Sequence, residues 1–190
     1  MESARRKPRS DASRNREHLI EAAKDVLGRG GPGASLEAVA RQAGVGIGTL
    51  YRHFPTREAL FQAVYRREVK QLVEMAAAID RSSDGLEGLR RWLHTLVGLI
   101  ETKRGLLGTL SLVVTDESKA MFAELSRQLQ EAVRDLIAGP VSRGELRADI
   151  TAEDLLSTLY AVGYSRQPGP EWRTQVLRLV DIFLDGMRTR

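Results

Sequence analysis

The chain has 190 residues, 42% hydrophobic and 28% charged, a globular balance that can bury the core of one domain or two and that excludes wholesale disorder. No apolar run approaches the roughly 18 residues of a membrane span, and the basic start MESARRKPRSDASRNREH lacks the apolar stretch of a secretory signal. With no cysteine there is no disulfide, no thiol nucleophile and no thiolate metal site, a pattern expected of a cytoplasmic protein.

The net charge of +4 is unevenly distributed. Residues 1–60 carry 11 Lys and Arg against 7 Asp and Glu, whereas residues 61–190 carry 18 of each. The surplus concentrates at the start, where Arg5, Arg6, Lys7, Arg9, Arg14 and Arg16 face only Glu2 and Asp11. Taken alone, residues 1–13 read as a solvated, disordered tail. Beside a domain that reads a groove, the same arm becomes a source of minor-groove arginines.

In chain order the pattern is helical throughout. From about Arg14 to Arg29, Leu19, Ile20, Ala22, Ala23, Val26 and Leu27 recur at helical spacing, and GRGGPG stops the run. Ser35 is a natural cap for a short helix with Leu36, Val39, Ala40 and Ala43 on its inner face, and Gly44 ends it. A second short helix follows, with Leu50 and Phe54 both able to face inward. Pro55 closes it. A long helix then runs from Arg57 to about Ile79. Further helices are expected at 86–102, with Asp84 and Glu87 as a capping box, and at 104–114, 118–143, 151–165 and 171–188. Gly139 and Pro140 are expected to bend or end the third of these, and Thr151 with Asp154 to cap the next. The expected fold is all-α, about nine helices without a strand.

Two short helices joined by a glycine turn and preceded by a packing helix can present the second one to a DNA groove. The stretch SLEAVARQAGVGIGTLYRHFPTREALFQAVY at residues 35–65 resembles the TetR family of one-component bacterial regulators. The resemblance implies three domains or segments: the arm at 1–13, a helix-turn-helix DNA-binding domain at 14–56, and a helical ligand-binding and dimerisation domain at 57–190. It implies that Ile47, Gly48 and Thr49 lie near the bases, and that Ser35, Tyr51, His53 and Arg57 contact phosphates, with Arg5, Arg6 and Lys7 added by the arm. Gly46 stands where the family often has Ser or Thr, and Ile47 where Lys or Gln is frequent, so readout at 47 turns to apolar contact with a thymine methyl. Glu37 stands where many members have arginine. Outside this context Tyr51 reads as core, His53 as a surface histidine and Arg57 as an ordinary charge.

Catalysis finds no constellation. GRGGPG matches G-x-G-x-x-G but follows a helix rather than a strand, so it reads as a loop. No nucleophile elbow, Walker motif, H-E-x-x-H or Glu-x-x-His pair occurs. No catalytic residue, metal site or cofactor is expected.

The second half carries Trp92, Leu96, Ile100, Leu107, Leu110, Val114, Phe122 and Leu125 at spacings of three, four and seven, which as periodicity alone is plain core. The resemblance implies a cavity between these helices, with Tyr160 among its walls and movement passed through the long fourth helix. Few charges fall on this face, so the ligand expected is small and apolar or amphipathic. Trp92, His94, Thr109, Tyr160 and Tyr164 are candidate polar handles. The last two helices are apolar on more than one side, and Leu155, Leu159, Val162, Val176, Val180, Phe183 and Leu184 are the expected homodimer interface. The function expected is therefore a dimeric repressor of a palindromic double-stranded DNA operator, released by a small ligand. The rival readings are a ligand-independent regulator governed by a protein partner or its own concentration, and, more remotely, a helical enzyme.

Overall fold

The structure is a computed structural model that describes residues 7–28, 30, 34–79, 85–110 and 115–189. Within them lie eight helices: α1 (Lys7–Gly28), α2 (Leu36–Gln42), α3 (Ile47–His53), α4 (Arg57–Ala78), α5 (Gly85–Leu110), α6 (Asp116–Ser142), α7 (Ala152–Ser165) and α8 (Trp172–Gly186). The all-α expectation is met. The chain divides into two compact units, one running up to Arg66 and resuming at Thr102 in the last turns of α5, the other containing 67–101 and the chain from Thr115 onward.

In the first unit, Leu19, Ala23 and Leu27 of α1, Val39 of α2, Leu50 of α3, Phe54, and Leu60 and Val64 of α4 are all buried. α1 begins at Lys7, ahead of the expected Arg14. Ser35 caps α2, its hydroxyl oxygen accepting a hydrogen bond from the Ala38 amide at 3.1 Å. The turn between α2 and α3 is a Schellman arrangement. The Val45 amide reaches the Ala40 carbonyl at 3.0 Å and the Gly44 amide the Arg41 carbonyl at 3.1 Å, with Gly44 at φ 71°, a value glycine adopts without a Cβ penalty. Across α1 and α2, the Gln42 amide nitrogen donates to Asp25 Oδ2 at 3.2 Å.

The two helices expected at 86–102 and 104–114 are one, since α5 runs unbroken to Leu110. Gly105, inside the expected 104–114 helix, serves close approach: a Cβ added to it would lie 1.8 Å from the Gly28 carbonyl oxygen. The end of α5 is thereby laid directly on the end of α1. Arg57 adds a second tie, its Nη1 donating to the Leu110 carbonyl at 3.4 Å, a cation at a helix C-terminus.

In the second unit, Leu89, Leu93, Leu96, Leu129, Leu155, Val176 and Leu184 are among the fully buried side chains. Both indoles are anchored: Trp92 Nε1 donates to the Leu72 carbonyl at 2.8 Å and Trp172 Nε1 to the Gly163 carbonyl at 3.1 Å. Capping boxes start α6 at Thr115 and Ser118, and α7 at Thr151 and Asp154. α6 passes Pro140 and spans close to the expected 118–143. The helix continues to Ser142, because the Arg143 amide still reaches the Gly139 carbonyl at 3.1 Å, and it ends in a second Schellman turn on Gly144 at φ 69°. An antiparallel bridge between Leu146 and Arg188 pins the C-terminal segment.

The two glycines near the end of α5 give opposite expectations. Gly105→Ala forces an atom into the Gly28 backbone and lowers stability by at least the ~1–3 kcal/mol of an overpacked site. Gly108 has nothing within 4 Å of an added Cβ, so Gly108→Ala is neutral or stabilising by up to ~1 kcal/mol. Urea unfolding of the two variants decides it; equal midpoints would mean that α1 and α5 do not meet at this point.

Candidate nucleic-acid interface

The rotation of α3 is set by its one fully buried member. Leu50 is 1% exposed and Phe54, four residues on, is 2% exposed. At about 100° per residue, Gly48 and Arg52 point most nearly away from Leu50, while Thr49 and Tyr51 flank them on either side. Exposure agrees: Gly46, Ile47, Gly48, Tyr51 and Arg52 are exposed and Thr49 and His53 half-buried. No heavy atom lies within 4 Å of a Cβ added at Gly46 or Gly48, so the outer side of α3 is bare backbone at these positions.

The expected phosphate contacts partly converge. Ser35, Tyr51 and Arg57 line one recess of about 150 Å³, together with Glu37 and Leu110. Tyr51 is 46% exposed and is therefore no core residue. The Ser35 hydroxyl is engaged as an acceptor by its cap and keeps its O–H to donate. Arg57 is partly committed to Leu110. His53 does not border the recess; its ring centroid lies 6.4 Å from that of Phe54. The Arg16 guanidinium of α1 sits 5.2 Å from the centre of the Phe54 ring. Lys7 is the first residue of α1, and Arg5 and Arg6 lie outside the described residues.

Arg52 is the residue that sequence reasoning passed over. Its Nη2 donates to Thr49 Oγ1 at 2.8 Å and its Nε to the Gly48 carbonyl at 3.2 Å. The available signal was its position two residues from Leu50, on the far side of a helix whose inner face was already assigned.

The expected ligand walls do not assemble within one unit. Trp92, Leu96, Ile100 and Leu125 are buried and Phe122 and Tyr160 half-buried in the second unit, whereas Leu107 and Leu110 belong to the first. Val114 lies outside the described residues. Trp92 also fails as a polar handle, since its N–H is committed to Leu72. His94 Nε2 is bound to Asp181 Oδ1 at 2.8 Å, and Arg90 reaches the same oxygen at 2.5 Å. Burial pushes the Asp181 carboxyl up, but hydrogen bonds from His94 and Arg90 outweigh it and hold its pKa below the ordinary value.

Of the expected interface residues, Leu155, Leu159, Val176, Val180 and Leu184 are each no more than 1% exposed within the chain itself. Their side chains pack at home and offer no surface to a partner. Val162 and Phe183 are half-buried. Ile182, at 56% exposed, was not among the expected residues, yet it lines with Phe183, Asp154 and Thr158 a groove of about 440 Å³ on α7 and α8. Among the described residues no group of three or more His, Asp or Glu could hold a metal ion, and no helix is long and apolar enough to cross a membrane.

Comparison with known proteins bears on the whole chain. Residues 19–64 match the family profile described as bacterial regulatory proteins, tetR family, and residues 84–189 match that of the transcriptional regulator SbtR-like, C-terminal domain. The crystal structure of the TetR transcriptional regulator SCO0520 from Streptomyces coelicolor is 34% identical and superposes with a TM-score of 0.75, covering 91% of this chain and 98% of that one. The HTH-type transcriptional regulator LuxR of Vibrio harveyi is 25% identical over 97% of this chain and 95% of its own. The HTH-type transcriptional regulator SAR0097 of Staphylococcus aureus is 38% identical over a shorter stretch, 38% of this chain and 39% of its own length. With one profile spanning more than half of the sequence and a similar structure matched along nearly all of it, the chain belongs to the TetR family of DNA-binding, helix-turn-helix transcriptional regulators.

Proposed function

We propose that this regulator is a cytoplasmic repressor that binds a palindromic operator as a homodimer and is released by a small apolar or amphipathic ligand. The observation that carries the DNA-binding part is the convergence of Ser35, Tyr51 and Arg57 on one recess beside an exposed, glycine-lined face of α3. Phosphates held at the recess would fix the register, and Ile47, Gly48 and Thr49 would meet the base edges. His53 is assigned to a phosphate at the end of α3. Arg5, Arg6 and Lys7 are assigned to the adjacent minor groove. Tyr51→Ala removes one contact of the recess and is expected to weaken operator binding by about 1–3 kcal/mol without altering the secondary structure. Fluorescence anisotropy on a selected operator measures it, and undiminished affinity would remove the recess from the interface.

Dimerisation is supported by the outward stripe of α8. Leu179 and Phe183 are half-buried and Ile182 exposed, with Val162 half-buried on α7. A single short reading helix binds weakly, and two joined heads gain by effective concentration. Phe183→Glu places a carboxylate in the proposed interface, at a cost of several kcal/mol if it is left unpaired there. Sedimentation is expected to show a folded monomer; an unaltered dimer would put the interface elsewhere.

The ligand part rests on family membership and on the apolar interior of α5 and α6. A ligand shifts an equilibrium only through differential affinity, and the coupling is reciprocal. A true inducer therefore binds the DNA-free protein more tightly than the operator complex, by the factor by which it weakens DNA binding. Calorimetry with and without operator checks this. Should no compound show such a difference, control by a protein partner or by concentration takes the place of induction.

A further inference from the structure

The guanidinium of Arg52 has five N–H donors in a planar fork. One edge is occupied: Nε–H lies on the Gly48 carbonyl at 3.2 Å and one Nη2–H on Thr49 Oγ1 at 2.8 Å. The far edge, formed by Nη1 and the second Nη2–H, meets no acceptor among the described residues. Arg52 is exposed and stands with Gly48 on the side of α3 opposite Leu50. Because Gly48 has no side chain, the guanidinium can lie back along the helix at this point, and the helix itself can come close to whatever it reads.

We propose that Arg52 is a specificity-determining residue that reads a guanine in each half-site, its fork held in place by Thr49 and the Gly48 carbonyl. The inference rests on the DNA-binding reading above and goes beyond it by naming the base. A free edge carrying two parallel N–H groups matches the O6 and N7 acceptors that guanine presents in the major groove, and no other base offers such a pair. Phosphate would also accept a fork, but the recess assigned to phosphate is bordered by Tyr51, Ser35 and Arg57, and Tyr51 stands about 100° around α3 from Arg52. Arg52 instead occupies the outermost line of α3. The brace matters because a side chain already ordered before binding loses less conformational freedom on contact.

The test is selection of binding sites from random duplex DNA by the full-length chain and by Arg52→Lys, Arg52→Ala and Thr49→Val. The wild-type protein is expected to select a site with a guanine at one symmetric position. Arg52→Lys keeps the charge but not the fork, and it and Arg52→Ala are expected to lose about 5- to 100-fold of the preference for that guanine, with preferences at other positions retained. Thr49→Val is expected to reduce the same preference by a smaller factor. If both Arg52 variants select the wild-type site with the same guanine preference, the assignment is overturned. It is also overturned if Arg52→Ala weakens all sequences alike and lowers the salt slope by about 0.9, the mark of a phosphate contact, or if Thr49→Val leaves the preference whole, which removes the brace. A wild-type protein that selects no sequence would overturn the DNA-binding reading and this assignment together, whereas the preceding outcomes touch Arg52 alone. Circular dichroism of each variant verifies that α3 and its neighbours remain folded.

Discussion

Burial of Leu50 and Phe54 is the constraint on which the reading surface depends. α3 is only seven residues long, too short to be stable in isolation, so its existence and its rotation both come from packing. Fixing Leu50 inward sends Gly48 and Arg52 outward and leaves Thr49 and Tyr51 at the flanks. Tyr51 then borders the recess that Ser35 and Arg57 share, while Thr49 meets Arg52. A quarter-turn of the helix would bury Tyr51 or Thr49 and break both arrangements.

Three glycines show why a sequence reveals punctuation more easily than contact. Gly44 could be read at once, because a helix that must turn sharply needs a residue at positive φ, and its value of 71° follows. Gly48 was legible as a residue that favours close approach, since an exposed glycine in a short helix otherwise only weakens it. Gly105 was not. Its neighbours Thr102, Lys103 and Arg104 are polar, and this run interrupts the apolar periodicity just where α5 continues. The partner that demands it is Gly28, seventy-seven positions earlier, and no local pattern carries a contact across that distance.

The helical fold and the reading head were legible because each rests on short-range signals: caps at Ser35 and Thr151, a Schellman turn at Gly44, and apolar residues at three and four. The C-terminal surfaces were legible only as apolarity. Periodicity shows that Leu155, Leu159, Val176, Val180 and Leu184 seek burial, but not whether their own chain or a second one supplies it. Their own chain does. Ile182, left exposed, sits on the weaker side of the same helix, where one apolar side chain among Arg178, Asp181 and Asp185 is easily taken for a stray. The expected ligand walls are divided for a related reason, since α5 is shared between two units and a run of evenly spaced leucines does not announce where that division falls.

The distribution of charge bears on how the proposed interface would divide affinity from specificity. Arg52 is the only Lys, Arg, Asp or Glu in α3, IGTLYRH, although the chain as a whole carries 29 Lys and Arg. The cations that would neutralise phosphate lie on other elements, at the start of the chain and on Arg57. Salt screens a contact to phosphate through the release of counterions, whereas a fork on a base edge is worth its geometry and is lost on a wrong base at any ionic strength. On the proposed assignment the two contributions reside on different residues. The electrostatic part can weaken without changing which sequence is preferred, and the preference can be rewritten at α3 while most of the attraction for the backbone remains.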